Sequence, residues 1–219
     1  MRNPLPFLLA ALLIPPTPTM AALSINTTSL QPWQIPRLST HTPSGYPANH
    51  PYWSLSFAVA DPNTIVVGQT RFGAAAFPPT TANCSVRWLG YAGAGEDPRG
   101  HTYACGSGDA DAADTGRWTF RVANDSASAI SDFALRVGLE EAVVLETGAV
   151  VNLKWEGEAK FKVSGSEPDG NMKGVCGGSG VCNWWLKDED APVLVQQRLV
   201  EVQCVEGTCE EDEDGDAGA

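Results

Sequence analysis

Between residues 52 and 59 the chain alternates. Trp53, Leu55, Phe57 and Val59 are apolar, and Ser54, Ser56 and Ala58 stand between them. Successive side chains of an extended chain point to opposite sides, so this segment buries one face and wets the other. Asp61-Pro62-Asn63 ends it as a turn. The same period recurs over residues 84–88, 118–122, 133–139, 151–155 and 161–163. Residues 65–67 form a further short strand, and the β-branched stretch 193–205 holds a last strand or two. Only residues 140–144 are ambiguous, and no stretch sustains a helical repeat. Seven or eight short strands separated by turn signals predict an all-β fold: a compact antiparallel β-sandwich or barrel, disulfide-stapled.

The flanks read differently. Residues 22–51 are rich in Pro, Ser and Thr and lack a clear period, which predicts an extended arm. Residues 90–116 read as a long loop rich in Gly, Ala and Asp. Residues 210–219 are almost wholly acidic and small, the composition of a disordered tail. At the other end Arg2 precedes the apolar run of residues 5–14, too short to span a bilayer, and Pro15, Pro16 and Pro18 follow. Thr19-Met20-Ala21 presents small residues where a signal peptidase reads. Residues 1–21 are therefore expected to be a signal peptide, with cleavage after Ala22 as the rival, and residues 22–209 a single secreted, extracellular β domain.

Composition sharpens this picture. The formal net charge is -12, with much of the acid in the tail. An acidic protein is repelled by phosphate backbones and anionic lipid, so neither nucleic acid nor a membrane is expected as partner. Six cysteines in a secreted chain imply up to three disulfides. Pairing of neighbours predicts Cys84–Cys105, Cys176–Cys182 and Cys204–Cys209; a strand cysteine at 204 reaching the 176–182 turn is the alternative to the last. Asn26, Asn83 and Asn124 each open an N-glycosylation sequon.

One set of features resembles a known family. These are Ser44-Gly45-Tyr46-Pro47, Ser54-Leu55-Ser56-Phe57-Ala58-Val59-Ala60-Asp61-Pro62-Asn63, Cys84 with Trp88, Cys105, Trp118-Thr119-Phe120, Asp132-Phe133 with Leu135 and Val137, and Ser179-Gly180-Val181-Cys182. Their order resembles the small secreted proteins of filamentous fungi related to the Alternaria major allergen. The resemblance covers roughly residues 33–202. It implies a compact β-barrel or sandwich with two disulfides and no established enzymatic activity, in a family of allergens and effectors that bind host proteins. The third cysteine pair and the acidic tail depart from that pattern, and no ligand-binding residues carry over.

Residues able to do chemistry are few. His41, His50 and His101 lie in Pro- or Gly-rich segments without metal-ligand spacing, and Cys176 and Cys182 are expected to be oxidised rather than to hold zinc. The 176–182 segment lacks both the G-x-S-x-G elbow and the Gly-Lys-Ser/Thr of a phosphate loop, and reads as a disulfide-closed turn. Glu140 and Glu141 point to opposite faces, while Glu156 and Glu158 flank Gly157, which reads as a turn; all four read as solvated charge. Asp109, Asp111 and Asp114, and the run from Glu210, fail the calcium-loop register. The expectation is no catalytic residue, no metal and no cofactor.

Of seven tryptophans, the adjacent Trp184 and Trp185 stand out. On a strand one enters the core and the other faces outward, where an indole can anchor a protein or stack on a sugar ring. The expected function is a non-enzymatic interaction protein, effector- or allergen-like, that binds an extracellular host protein. A carbohydrate-binding domain for cell-wall glycan is the alternative, and a secreted hydrolase the third reading.

Overall fold

A computed structural model describes residues 25, 29–44, 51–90, 97–107, 116–164 and 170–205. The expected signal peptide, Asn26, His50, Asp109, Asp111, Asp114, Cys209 and the acidic tail lie outside them. The described chain is almost wholly antiparallel β-structure, with a single 3-10 turn at Asp188–Asp190. None of its helices is long and apolar enough to cross a membrane.

The strands are β1 (Trp33–Thr42), β2 (Tyr52–Asp61), β3 (Ile65–Thr70), β4 (Gly73–Phe77), β5 (Thr80–Leu89), β6 (Tyr103–Ala104), β7 (Gly106–Ser107), β8 (Arg117–Val122), β9 (Asp132–Val144), β10 (Val150–Lys162), β11 (Met172–Cys176), β12 (Cys182–Leu186), β13 (Val193–Val195) and β14 (Gln197–Val205). One sheet runs β11-β12-β1-β2-β5-β7, with β13 also on β1. A second runs β14-β10-β9-β8-β6, and β3-β4 is a separate hairpin. The two large sheets are joined along both sides. On one side β13 pairs with β1 and, past Gln196, the chain continues as β14 on β10. On the other, β6 pairs with β8 and β7 with β5, and Cys105 between them is bonded to Cys84 of β5.

The alternation in the sequence becomes the core. Leu55, Phe57 and Val59 of β2, Trp118 and Phe120 of β8, Leu135 and Leu139 of β9, and Leu153, Trp155 and Phe161 of β10 are all buried. Aromatic rings tie one sheet to the other: Trp33 meets Trp118 edge-on at 4.8 Å, and Phe57 meets Phe120 edge-on at 5.1 Å. Such edge-to-face pairs contribute roughly 1 kcal/mol each beyond the area they bury.

Three expectations need correction. The supposed arm contains β1, a strand in the interior of its sheet, with Trp33 and Ile35 fully buried. Its period is hidden because Trp33 and Ile35 point inward, but Leu38, Thr40 and Thr42 do so in the opposite phase. A bulge between Gln34 and Arg37, at Pro36, makes the change. Gly157 is no turn; it lies within β10, where a side chain would collide with Val195 and crowd the Gln196 carbonyl. Glu141 is not solvated: its side chain points inward and only 4% of the residue is exposed.

The residues 176–182 form a closed turn between β11 and β12, bridged by Cys176–Cys182, with Gly177 N–H donating to the Val181 carbonyl. Gly180 sits there at φ +84°, a conformation that favours glycine. Cys204 is also disulfide-bonded.

Candidate functional site

The β12 strand places the tryptophan pair on opposite faces. Trp184 is half-buried and packs against the core, whereas Trp185 is 38% exposed on the outer surface. Strand pairing then determines what stands beside Trp185. Lys173 of β11 is opposite it on one side and Ser39 of β1 on the other. Ser39 is opposite Ser56, and Ser56 opposite Ser85. These five positions form one transverse row across five strands, about 19 Å long at roughly 4.8 Å per strand.

Parallel rows flank it. On one side Asn183, His41, Ser54 and Arg87 are in register, and on the other Arg37, Ala58 and Asn83. The side chains are tied laterally. The Ser39 and Ser56 hydroxyls lie 2.9 Å apart, His41 Nδ1 lies 2.8 Å from Asn183 Oδ1, and Arg37 Nη2 donates to Asn83 Oδ1 at 2.7 Å. Arg87 lies over the Tyr52 ring at 5.3 Å from its centroid. Between the rows is a shallow hollow of about 450 Å³, walled by Arg37, Ser39, Ser56, Asn83, Ser85 and Trp185.

The result is a shelf: a rigid sheet face of hydroxyls, amides and basic groups with one large apolar ring. An indole face can receive the apolar side of a flat ring, and the short polar groups around it can exchange hydrogen bonds with hydroxyls. Of the shelf residues the sequence had singled out Trp185 and Asn83. Arg37 and Ser39 escaped notice because their strand was read as an arm, and His41 was weighed only as a metal ligand.

Most of the other candidates are placed apart from this shelf. Asn124 is exposed in a turn, and its Oδ1 lies where a side chain on Gly100 would have to go. Asn83 is exposed on the shelf, so a glycan carried there would stand beside the hollow. Glu156 and Glu158 are held by Arg198 at 3.5 Å and by Arg136 at 2.7 Å. Glu140 is held by Arg117, with Lys154 at 3.7 Å. Among the described residues no three His, Cys, Asp or Glu side chains are grouped to hold a metal ion.

Glu141 is the residue that reading the sequence misjudged most. Its Oε2 has no hydrogen-bond partner, and burial, reinforced by the charge of Asp61, pushes its pKa from 4.5 up to about 8. The only signal was its inward phase in β9, opposite Leu153. Comparison with protein-family models, curated proteins and solved structures finds no match, so the shelf is read from its own geometry.

Proposed function

We propose that this chain is a secreted, non-enzymatic binding domain whose shelf holds a saccharide. The observation that carries the reading is Trp185: an exposed indole in register with a row of short hydroxyls on a rigid sheet. The centre of a protein interface is depleted of charge and gathers several aromatic side chains in a dry pocket. The shelf instead offers one ring amid Ser, Asn, His and Arg, groups suited to a hydroxyl-rich ligand. The test is retention of the oxidised chain on insoluble cell-wall polysaccharide, with release by free sugar. Trp185→Ala should lose retention while melting within a few degrees of the parent. Equal retention of the variant would reject the reading.

A protein partner, the reading implied by the family resemblance, has its own support elsewhere. Phe72, at the tip of the β3–β4 hairpin, is 91% exposed, and the Arg71 guanidinium lies 5.3 Å from its ring centroid. Aromatic and arginine side chains are the residue types that dominate protein interfaces. Phe72→Ala should then abolish capture of an extracellular protein by the immobilised chain and leave polysaccharide retention intact.

A further inference from the structure

The charge on the shelf says which saccharide. The outward positions of β1, β2, β5, β11 and β12 carry Arg37, His41, Arg87 and Lys173 and not one Asp or Glu. This holds on a chain whose formal charge is -12. Two of these cations flank the indole. Lys173 is directly opposite Trp185 across the β11–β12 pair, and Arg37 lies two positions along β1 from Ser39, which faces Trp185 on the other side.

Neither cation is neutralised in a durable way. The Arg37 guanidinium is turned toward a neutral amide oxygen, that of Asn83. Lys173 pairs at 3.1 Å with Asp188, whose side chain is 94% exposed beyond the end of the strands. An exposed pair of this kind contributes little, so an incoming carboxylate displaces it at small cost. The hydroxyls, amides and indole between the cations are what a pyranose ring needs.

We infer that the ligand of the shelf is an uronic-acid polysaccharide, with one ring stacked on Trp185 and carboxylates of that ring or its neighbours paired to Arg37 and Lys173. This rests on the saccharide reading and adds a chemical class to it. Guanidinium and carboxylate match in a two-pronged hydrogen-bond geometry that a neutral sugar cannot use. On these strands a polyanion meets cations and no outward carboxylate, so like-charge repulsion does not oppose it on this face.

The experiment measures affinity of the full, oxidised chain, with any N-glycan trimmed, for three soluble polymers. These are de-esterified polygalacturonate, a neutral β-glucan and dextran sulfate. The expected result is that polygalacturonate binds tightest and that Arg37→Gln and Lys173→Gln each weaken it about fivefold, a larger loss than either causes for β-glucan. Arg37→Lys, which keeps the charge, should retain more binding than Arg37→Gln, and Trp185→Ala should weaken binding to both glycans. Melting curves establish that each variant folds. Equal affinity for polygalacturonate and β-glucan, or no effect of either glutamine variant, overturns the uronate inference and leaves the saccharide reading standing. Dextran sulfate binding as tightly as polygalacturonate also overturns it, because simple charge attraction would then suffice. Failure to bind either glycan overturns both.

Discussion

The outer faces of the two sheets are built by the same alternation, yet they treat charge in opposite ways. On the five-stranded sheet, four cations find carboxylates across the strands. Arg117 and Lys154 share Glu140, Arg136 meets Glu158 at 2.7 Å, and Arg198 meets Glu156 at 3.5 Å. On the strands of the seven-stranded sheet no outward position supplies a carboxylate, and Arg37 and His41 are bonded to the amide oxygens of Asn83 and Asn183. Exposed ion pairs add little to stability, so pairing on the first face mainly cancels charge locally. On the second, Arg37 faces only a neutral amide and Lys173 only the exposed Asp188. The two faces differ in whether carboxylates stand among their outward cations, and the proposed saccharide shelf lies on the face without them.

The comparison can be broken from beneath first. Trp155 is fully buried under the five-stranded sheet. Its replacement by Ala should cost about 3–5 kcal/mol, through lost burial and the cavity left behind. Trp185→Ala, on the outer face of the other sheet, should change stability by less than about 1 kcal/mol. Thermal or denaturant unfolding measures both, and comparable losses would show Trp185 to be a structural residue.

The link between the sheets comes next. Cys84–Cys105 closes a separation of 21 residues and fastens the β6–β7 crossing to β5. Replacing both cysteines by Ser should cost roughly 3 kcal/mol in the chain-entropy account. Removing Cys176–Cys182, which closes a separation of only 6, should cost less. Denaturant unfolding of the two double variants side by side gives the order.

Glu141 separates the inner from the outer face of a single strand, since Glu140 beside it is solvated and paired. Its folded pKa is raised, so the folded protein holds a proton that the unfolded chain releases above about pH 4.5. The stabilising contribution of the neutral carboxyl is complete below that pH and is lost as pH rises to about 8. Across this window the wild type should lose up to about 1.4 kcal/mol per pH unit from this group. Glu141→Gln should remove that slope and be the more stable protein at pH 9. Parallel pH-stability curves would refute the assignment of Glu141 as a buried, unpaired acid.

The smallest effect belongs to the paired face. Glu158→Gln, which breaks the pair with Arg136, should cost under about 1 kcal/mol and weaken further at low ionic strength than at high. It should leave glycan binding unchanged, whereas Ser56→Glu, which plants a carboxylate in the row containing Trp185, should suppress uronate binding with little change in melting temperature.

The sequence by itself determined which side of most strands is buried. Leu55 and Phe57 in β2, or Trp118 and Phe120 in β8, alternate with polar neighbours, and Cβ direction reverses at every residue of an extended chain whatever surrounds it. The same local rule put Trp184 and Trp185 on opposite faces. It failed for β1 because a bulge at Pro36 shifts the phase, and a bulge is a property of the pairing rather than of the segment. It also failed for Glu141, because a residue type that is ordinarily solvated was weighted above its inward position. The shelf was beyond local reading altogether. Trp185 and Ser39 are far apart in the chain, as are Ser56 and Lys173, and only strand order and register bring them into one row. Register is fixed by the whole set of buried faces packing at once, so the tertiary structure alone decided which polar groups and which cations surround the exposed indole.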